Sequence, residues 1–118
     1  MHLTFELQAD ACIACPQGRL GFAEAALAQQ ALERAIAAAG PTLRGLVMDC
    51  TALDAISSAG LRVWLLIARA AKSASLLFVV CSLHDTAAEV FAISGFNTLI
   101  PAYADRAAAL AAIQATAA

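Results

Sequence analysis

The chain has 118 residues, 62% of them hydrophobic and only 14% charged, with a net charge of −2 at pH 7. That length buries one core, and the seven basic residues are scattered, so there is no footprint for a nucleic-acid backbone and no direct nucleic-acid partner is expected. The apolar run over 61–67 contains Arg62 and falls far short of the roughly 20 residues of a bilayer span, and Met1 to Glu6 lacks the character of a signal peptide, so the reading is cytoplasmic with no membrane insertion.

Leu3, Phe5 and Leu7 alternate with Thr4, Glu6 and Gln8, the period of a strand with one buried face. After an Ala9-Asp10 turn, residues 11–15 form a second short strand that closes a hairpin, and Pro16-Gln17-Gly18 breaks the pattern. Residues 23–39 are helical by propensity, with Leu27, Ala31, Ala35 and Ile36 as the inward stripe and Gly40-Pro41 as the stop. Residues 46–48 are apolar on both faces, as a central strand is. A short polar loop then leads to Ser58, placed as the N-cap of a helix over 59–72, where Leu61, Trp64, Leu65 and Ala68 share one face and Arg62 and Arg69 the opposite one. Residues 76–81 form the next buried strand, and Asp85 caps a helix over 86–94 that stops at Gly95. A short edge strand over 99–103 and a helix over 105–115 complete the chain, with fraying expected after about residue 114.

No repeat or linker divides residues 1–118, so one domain is expected. Strand–helix–strand order implies parallel pairing and the opening hairpin antiparallel pairing. The fold class is therefore α/β, with a mixed sheet of four or five strands and about four helices.

The cysteines invite a metal or redox reading through Cys12-x-x-Cys15. On a strand, positions three apart point to opposite faces, so these two sulfurs cannot share a metal or close an ordinary disulfide. Cys50 and Cys81 fall at the ends of apolar strands, as small hydrophobes. No metal and no cofactor is expected.

Ser57 and Ser58 admit three readings. A capping serine satisfies free backbone donors and stabilises the helix by about 1 kcal/mol. A catalytic nucleophile needs a base and an oxyanion site, but only His2 and His84 are available and Gly-x-Ser-x-Gly is absent, so no catalytic residue and no enzyme is expected. A phosphorylated serine would add roughly 1.5 to 2 negative charges at the positive end of a helix, with Arg62 one turn further on. Capping and phosphate acceptance both remain open on residue chemistry. A Walker-type loop is not present, since Ser58-Ala59-Gly60 is too short and no lysine follows it.

Gly18-Arg19-Leu20, the strand Leu46-Val47-Met48-Asp49-Cys50-Thr51, the loop Ile56-Ser57-Ser58-Ala59-Gly60-Leu61 and the segment Ile93-Ser94-Gly95-Phe96-Asn97-Thr98-Leu99 occur here in an order and spacing that resembles the sulfate transporter and anti-sigma antagonist (STAS) domain, specifically the stand-alone bacterial anti-sigma factor antagonists. The resemblance spans nearly the whole chain. It implies a single STAS-like domain in which Ser58 is the phosphorylated residue, with Ser57 the runner-up, and in which Asp49, Ser57, Ala59, Gly60 and Arg62 bind the partner or support the loop, Asp49 lying beside Ser58. The family's loop commonly has an aspartate where Ser57 stands and a second hydroxyl where Ala59 stands, and many members carry an aspartate in place of Gly21. The implied partners are an anti-sigma factor with serine-kinase activity, which the unphosphorylated antagonist binds to release a sigma factor, and a serine phosphatase that restores the docking form. The alternative implied by the same family is a STAS scaffold subunit of a lipid or anion transporter complex.

Overall fold

A left-handed turn residue, Ala9 at φ 54°, reverses the chain between β1 (His2–Gln8) and β2 (Ala11–Leu20), which pair antiparallel from His2↔Gln17 to Gln8↔Ala11. These elements come from a computed structural model that describes residues 2–116. The second strand is twice as long as its sequence suggests and runs straight through Pro16-Gln17-Gly18. Its parallel ladder with β3 (Gly45–Asp49) ends at Ala14, and a second one with β4 (Leu53–Ile56) begins at Gly18. Pro16 falls in the interval between them, where β2 has a strand partner only on the β1 side. Gly18, at φ 88°, then supplies a left-handed conformation just before the register shift that re-aims the strand end.

Strand β4 replaces the polar loop expected there. Its two ends are the buried Leu53 and Ile56, and the intervening Asp54 and Ala55 hide the pattern. The remaining elements are α1 (Phe22–Ala37), α2 (Ser58–Ser73), β5 (Leu77–Cys81), α3 (Asp85–Ser94), a 3-10 turn at Phe96–Thr98, β6 (Ala102–Tyr103) and α4 (Arg106–Thr116). Strand order is β1-β2-β3-β5-β6, with β4 set against the far end of β2, so the described residues form a mixed sheet of six strands. The expected edge strand over 99–103 shortens to β6, because the 3-10 turn and the buried Ile100 occupy the approach. Helix α4 continues to Thr116, past the point where fraying was expected, and residues 117–118 lie outside the described part.

Helices α1, α2 and α3 cover one face of the sheet around Leu46, Met48, Phe78 and Val80, and α4 covers the other through Ala109 and Ile113 against Ile13, Val47 and Val79. The inward face of α1 is Ala28 and Leu32, while Leu27 is 70% exposed. Leu27 and Leu32 are five positions apart, about 140° around the helix, so only one can face the core; Leu32, flanked by Ala28 and Ile36, is that one. Helix α2 turns Leu61, Val63, Trp64, Ile67 and Ala71 inward, leaves Leu65 and Ala68 half-buried, and exposes Arg62 and Arg69. Trp64 is fully buried and meets Phe91 of α3 edge to face, with ring centres 6.0 Å apart. Helix α3 is preceded by His84 at the cap position, whereas Asp85, expected as the cap, is its first residue and adopts φ 52°.

Candidate functional site

The chain leaves β4 at Ile56 and is held extended for one more residue, because the Ser57 N–H donates to the Leu20 carbonyl at 3.0 Å. Extended backbone ends at Ser57, and the helix starts at Ser58, one position earlier than the sequence places it. Ser57, at φ −98° and ψ 174°, is the N-cap of α2, and its Oγ accepts the Gly60 N–H at 3.3 Å. Ser58, expected to be the cap, is instead the first helical residue, and it is exposed. Among the described residues its hydroxyl has no hydrogen-bond partner.

Gly60 decides how close this loop comes to the sheet. A Cβ there would lie 2.5 Å from the Leu20 carbonyl oxygen and 2.8 Å from Ile56 Cγ1, so only a residue without a side chain lets α2 begin in contact with β2 and β4. Ala59 is half-buried beside it, and Arg62 is exposed one turn past Ser58. A small depression of about 70 Å³ opens next to the cap, lined by Arg19, Leu20, Gly21, Ala55, Ile56 and Ser57. Gly21, the N-cap of α1, forms part of that rim, and its N–H donates to the Glu24 carboxylate at 2.9 Å.

Asp49 is the one buried charged residue among those described, 7% exposed. Its Oδ1 accepts the Thr51 hydroxyl at 2.7 Å and the Thr51 N–H at 3.1 Å, and its Oδ2 accepts the Arg106 guanidinium at 2.9 Å. Its hydrogen bonds thus go to the β3–β4 turn and to α4, with none to Ser58. Burial pushes this carboxyl up, but the Thr51 and Arg106 donors outweigh it and hold the group below its ordinary value. Arg106 also donates to Glu6 at 2.7 Å and to Gln8 at 3.1 Å, tying α4 to the outer strand. From Thr51 the network continues to His84, whose Nε2 is 3.0 Å from the Thr51 carbonyl and whose Nδ1 is 2.9 Å from the Asp85 carboxylate. Both ring nitrogens face acceptors, a pattern only the imidazolium satisfies. The Asp85 hydrogen bond, followed by the one to Thr51, accordingly raises the His84 pKa.

Sequence reasoning missed Arg106 and weighed His84 only as a catalytic base, not as the link between Thr51 and Asp85. Arg106 meets partners 57 to 100 residues away, and no local pattern announces such a contact.

Cys12 belongs to the core under α1 and Cys15 packs against the α4 side, on opposite faces as their spacing predicts. All four thiols are free. Burial pushes the Cys50 thiol well up and the Cys81 thiol to about 11, which keeps them protonated at neutral pH. Among the described residues no cluster of three or more histidine, cysteine or acidic side chains is placed to hold a metal, and no helix is long and apolar enough to cross a membrane.

A mixed sheet with three helices on one face, one on the other, and a paired-serine loop opening the helix after β4 defines a class of small α/β domains. The STAS domain model matches residues 2–109, and the chain belongs to that family. It is 40% identical over 115 residues to BtrV of Bordetella bronchiseptica, a protein named as an anti-sigma factor antagonist, covering 97% of this chain and 96% of the relative. Its fold superposes on an anti-sigma factor antagonist from Mycobacterium paratuberculosis with a TM-score of 0.85 at 19% identity, covering 96% of this chain and 93% of the other. The unphosphorylated form of the anti-sigma factor antagonist SpoIIAA superposes with a TM-score of 0.78 at 15% identity, covering 97% of both chains. These two likenesses establish the fold.

Proposed function

We propose that this protein is an anti-sigma factor antagonist that works by partner switching, with Ser58 as its phosphorylated residue. The unphosphorylated form binds an anti-sigma factor with serine-kinase activity and so releases a sigma factor; phosphorylation ends the docking, and a serine phosphatase restores it. The observation that carries this reading is the division between the two serines. Ser57 is committed to capping, while Ser58 presents an unpartnered hydroxyl to solvent at the first position of α2. The 40% identity to BtrV along nearly the full length of both chains supports the same reading.

The switch is electrostatic. A phosphate on Ser58 would sit at the positive end of α2 with Arg62 one turn away, where added negative charge is accommodated within the domain. The same dianion enclosed by a docked partner without a matched cation would cost several kcal/mol. The modified state thus keeps its fold and loses its partner.

The test is intact-mass analysis after incubation with ATP and a cognate anti-sigma kinase, followed by mapping of the modified residue. A single added phosphate on Ser58, absent in Ser58→Ala, is expected; modification on Ser57 would place the acceptor one residue earlier and refute the assignment. Calorimetry with the partner then separates the variants: Ser58→Ala retains docking and Ser58→Asp weakens it. Equal affinity of the Asp variant would overturn the electrostatic switch.

A further inference from the structure

The alternation of Leu3, Phe5 and Leu7 has no role in the site described above, and its outcome differs from the buried face that the sequence implies. Pairing places these residues on the same side of the sheet as Cys12 and Ala14, the side carrying α1, α2 and α3. Yet Phe5 is 40% exposed and Leu7 is 77% exposed. The cause lies in α1, whose C-terminal half faces β1 with Ala31, Ala35 and Ala38, side chains too short to reach across to the edge strand. A groove of about 550 Å³ is left between β1 and α1, lined by Phe5, Leu7 and Cys12 and, from the segment after α1, by Thr42 and Leu43. That size lies in the range of about 300 to 1,000 Å³ typical of small-ligand sites, and a predominantly apolar lining with few polar groups is their usual chemistry.

One charged side chain stands in this lining. Arg34 is exposed at the rim, and among the described residues it forms no ion pair. An occupant that satisfies the groove must offer an apolar body for Phe5, Leu7 and the alanine wall and one anion for the guanidinium. We propose that the groove binds a fatty acid, its alkyl chain lying between Leu7 and Ala35 and its carboxylate held by Arg34, with the Thr42 hydroxyl as the second donor at the rim. The site is independent of Ser58. Ser57 and Gly21 share the depression at the N-terminal end of α1, whereas Arg34 is in its last turn, roughly 20 Å along the helix at 1.5 Å per residue.

Decanoate and its neutral counterpart 1-decanol, each titrated calorimetrically into the full chain, test the proposal. Decanoate is expected to bind saturably at one per chain. Arg34→Gln should weaken decanoate about tenfold and leave 1-decanol within twofold, as loss of a charge-assisted hydrogen bond requires. Leu7→Gln should weaken both ligands. Leu7 and Arg34 are exposed, so unchanged melting of both variants is the fold control. Absence of saturable decanoate binding, or equal loss of acid and alcohol in Arg34→Gln, would overturn the assignment. So would light scattering that shows a dimer which Leu7→Gln converts to monomer, since a second copy would then be the occupant.

Discussion

Replacing Gly60 by alanine tests the geometry on which the serine loop depends. In an ordinary helix the change would add up to about 1 kcal/mol of stability, because glycine is the poorer helix former. Here the new methyl group would be 2.5 Å from the Leu20 carbonyl oxygen, and that carbonyl is the acceptor for the Ser57 N–H. A backbone atom in a paired strand end cannot rotate aside as a side chain can, so α2 must lift or the Ser57–Leu20 hydrogen bond must lengthen. Overpacking of this kind costs about 1 to 3 kcal/mol, and a rigid obstacle belongs at the upper end. After subtraction of the helix-propensity gain, a net loss of about 2 kcal/mol remains. For a domain of this length that corresponds to a fall in Tm of roughly 8 °C at about 4 °C per kcal/mol, read by circular dichroism at 222 nm. A Tm equal to or above that of the unsubstituted protein would refute the close approach.

Ser57→Ala should cost about 1 kcal/mol through loss of the cap, while Ser58→Ala should change stability by less than about 0.5 kcal/mol; parallel urea titrations read both, and the reverse ranking would contradict the cap assignment. Asp49→Asn should destabilise by about 2 kcal/mol, since a buried acceptor of three hydrogen bonds is weakened and Arg106 loses its buried partner. Because the Asp49 carboxyl is held below its ordinary value, it contributes stability above the unfolded pKa that is lost as pH falls through the folded one. Denaturant midpoints measured downward from pH 4 should therefore drop more steeply for the unsubstituted protein than for Asp49→Asn. His84 has the opposite sign: its raised pKa contributes stability below about pH 6.5 that disappears as pH rises through the folded value. An NMR titration of the His84 ring should give a pKa above the ordinary histidine value, and Asp85→Asn should lower it.

The strands at the centre of the sheet were legible because an all-apolar segment such as 46–48 has one fate in an α/β fold, burial on both faces. Strand β4 was not, because its two core residues, Leu53 and Ile56, are three apart, a spacing that fits one helix face and lacks the alternation of a strand. The alanine-rich α1 gave its extent but not its face: with alanine at seven of its sixteen positions, the choice between Leu27 and Leu32 rests on tertiary packing. The serine loop lies where the sequence places it, but its cap is Ser57 rather than Ser58, because the bond that fixes the last extended residue comes from Leu20, nearly forty residues upstream. The outer strand shows the limit of periodicity most plainly. Leu3, Phe5 and Leu7 choose the correct side of the sheet, but whether a helix arrives to cover that side is decided by the length of the side chains on α1.

The assignment of capping to Ser57 and of display to Ser58 has a consequence for how such a regulator can diverge. When a single hydroxyl both anchors a helix and receives a modification, any change in the acceptor's chemistry also perturbs folding. With capping on Ser57 and, in the function proposed above, modification on Ser58, position 58 is free to become threonine, acidic or inert without loosening the scaffold, and position 57 can be retained through all of those changes.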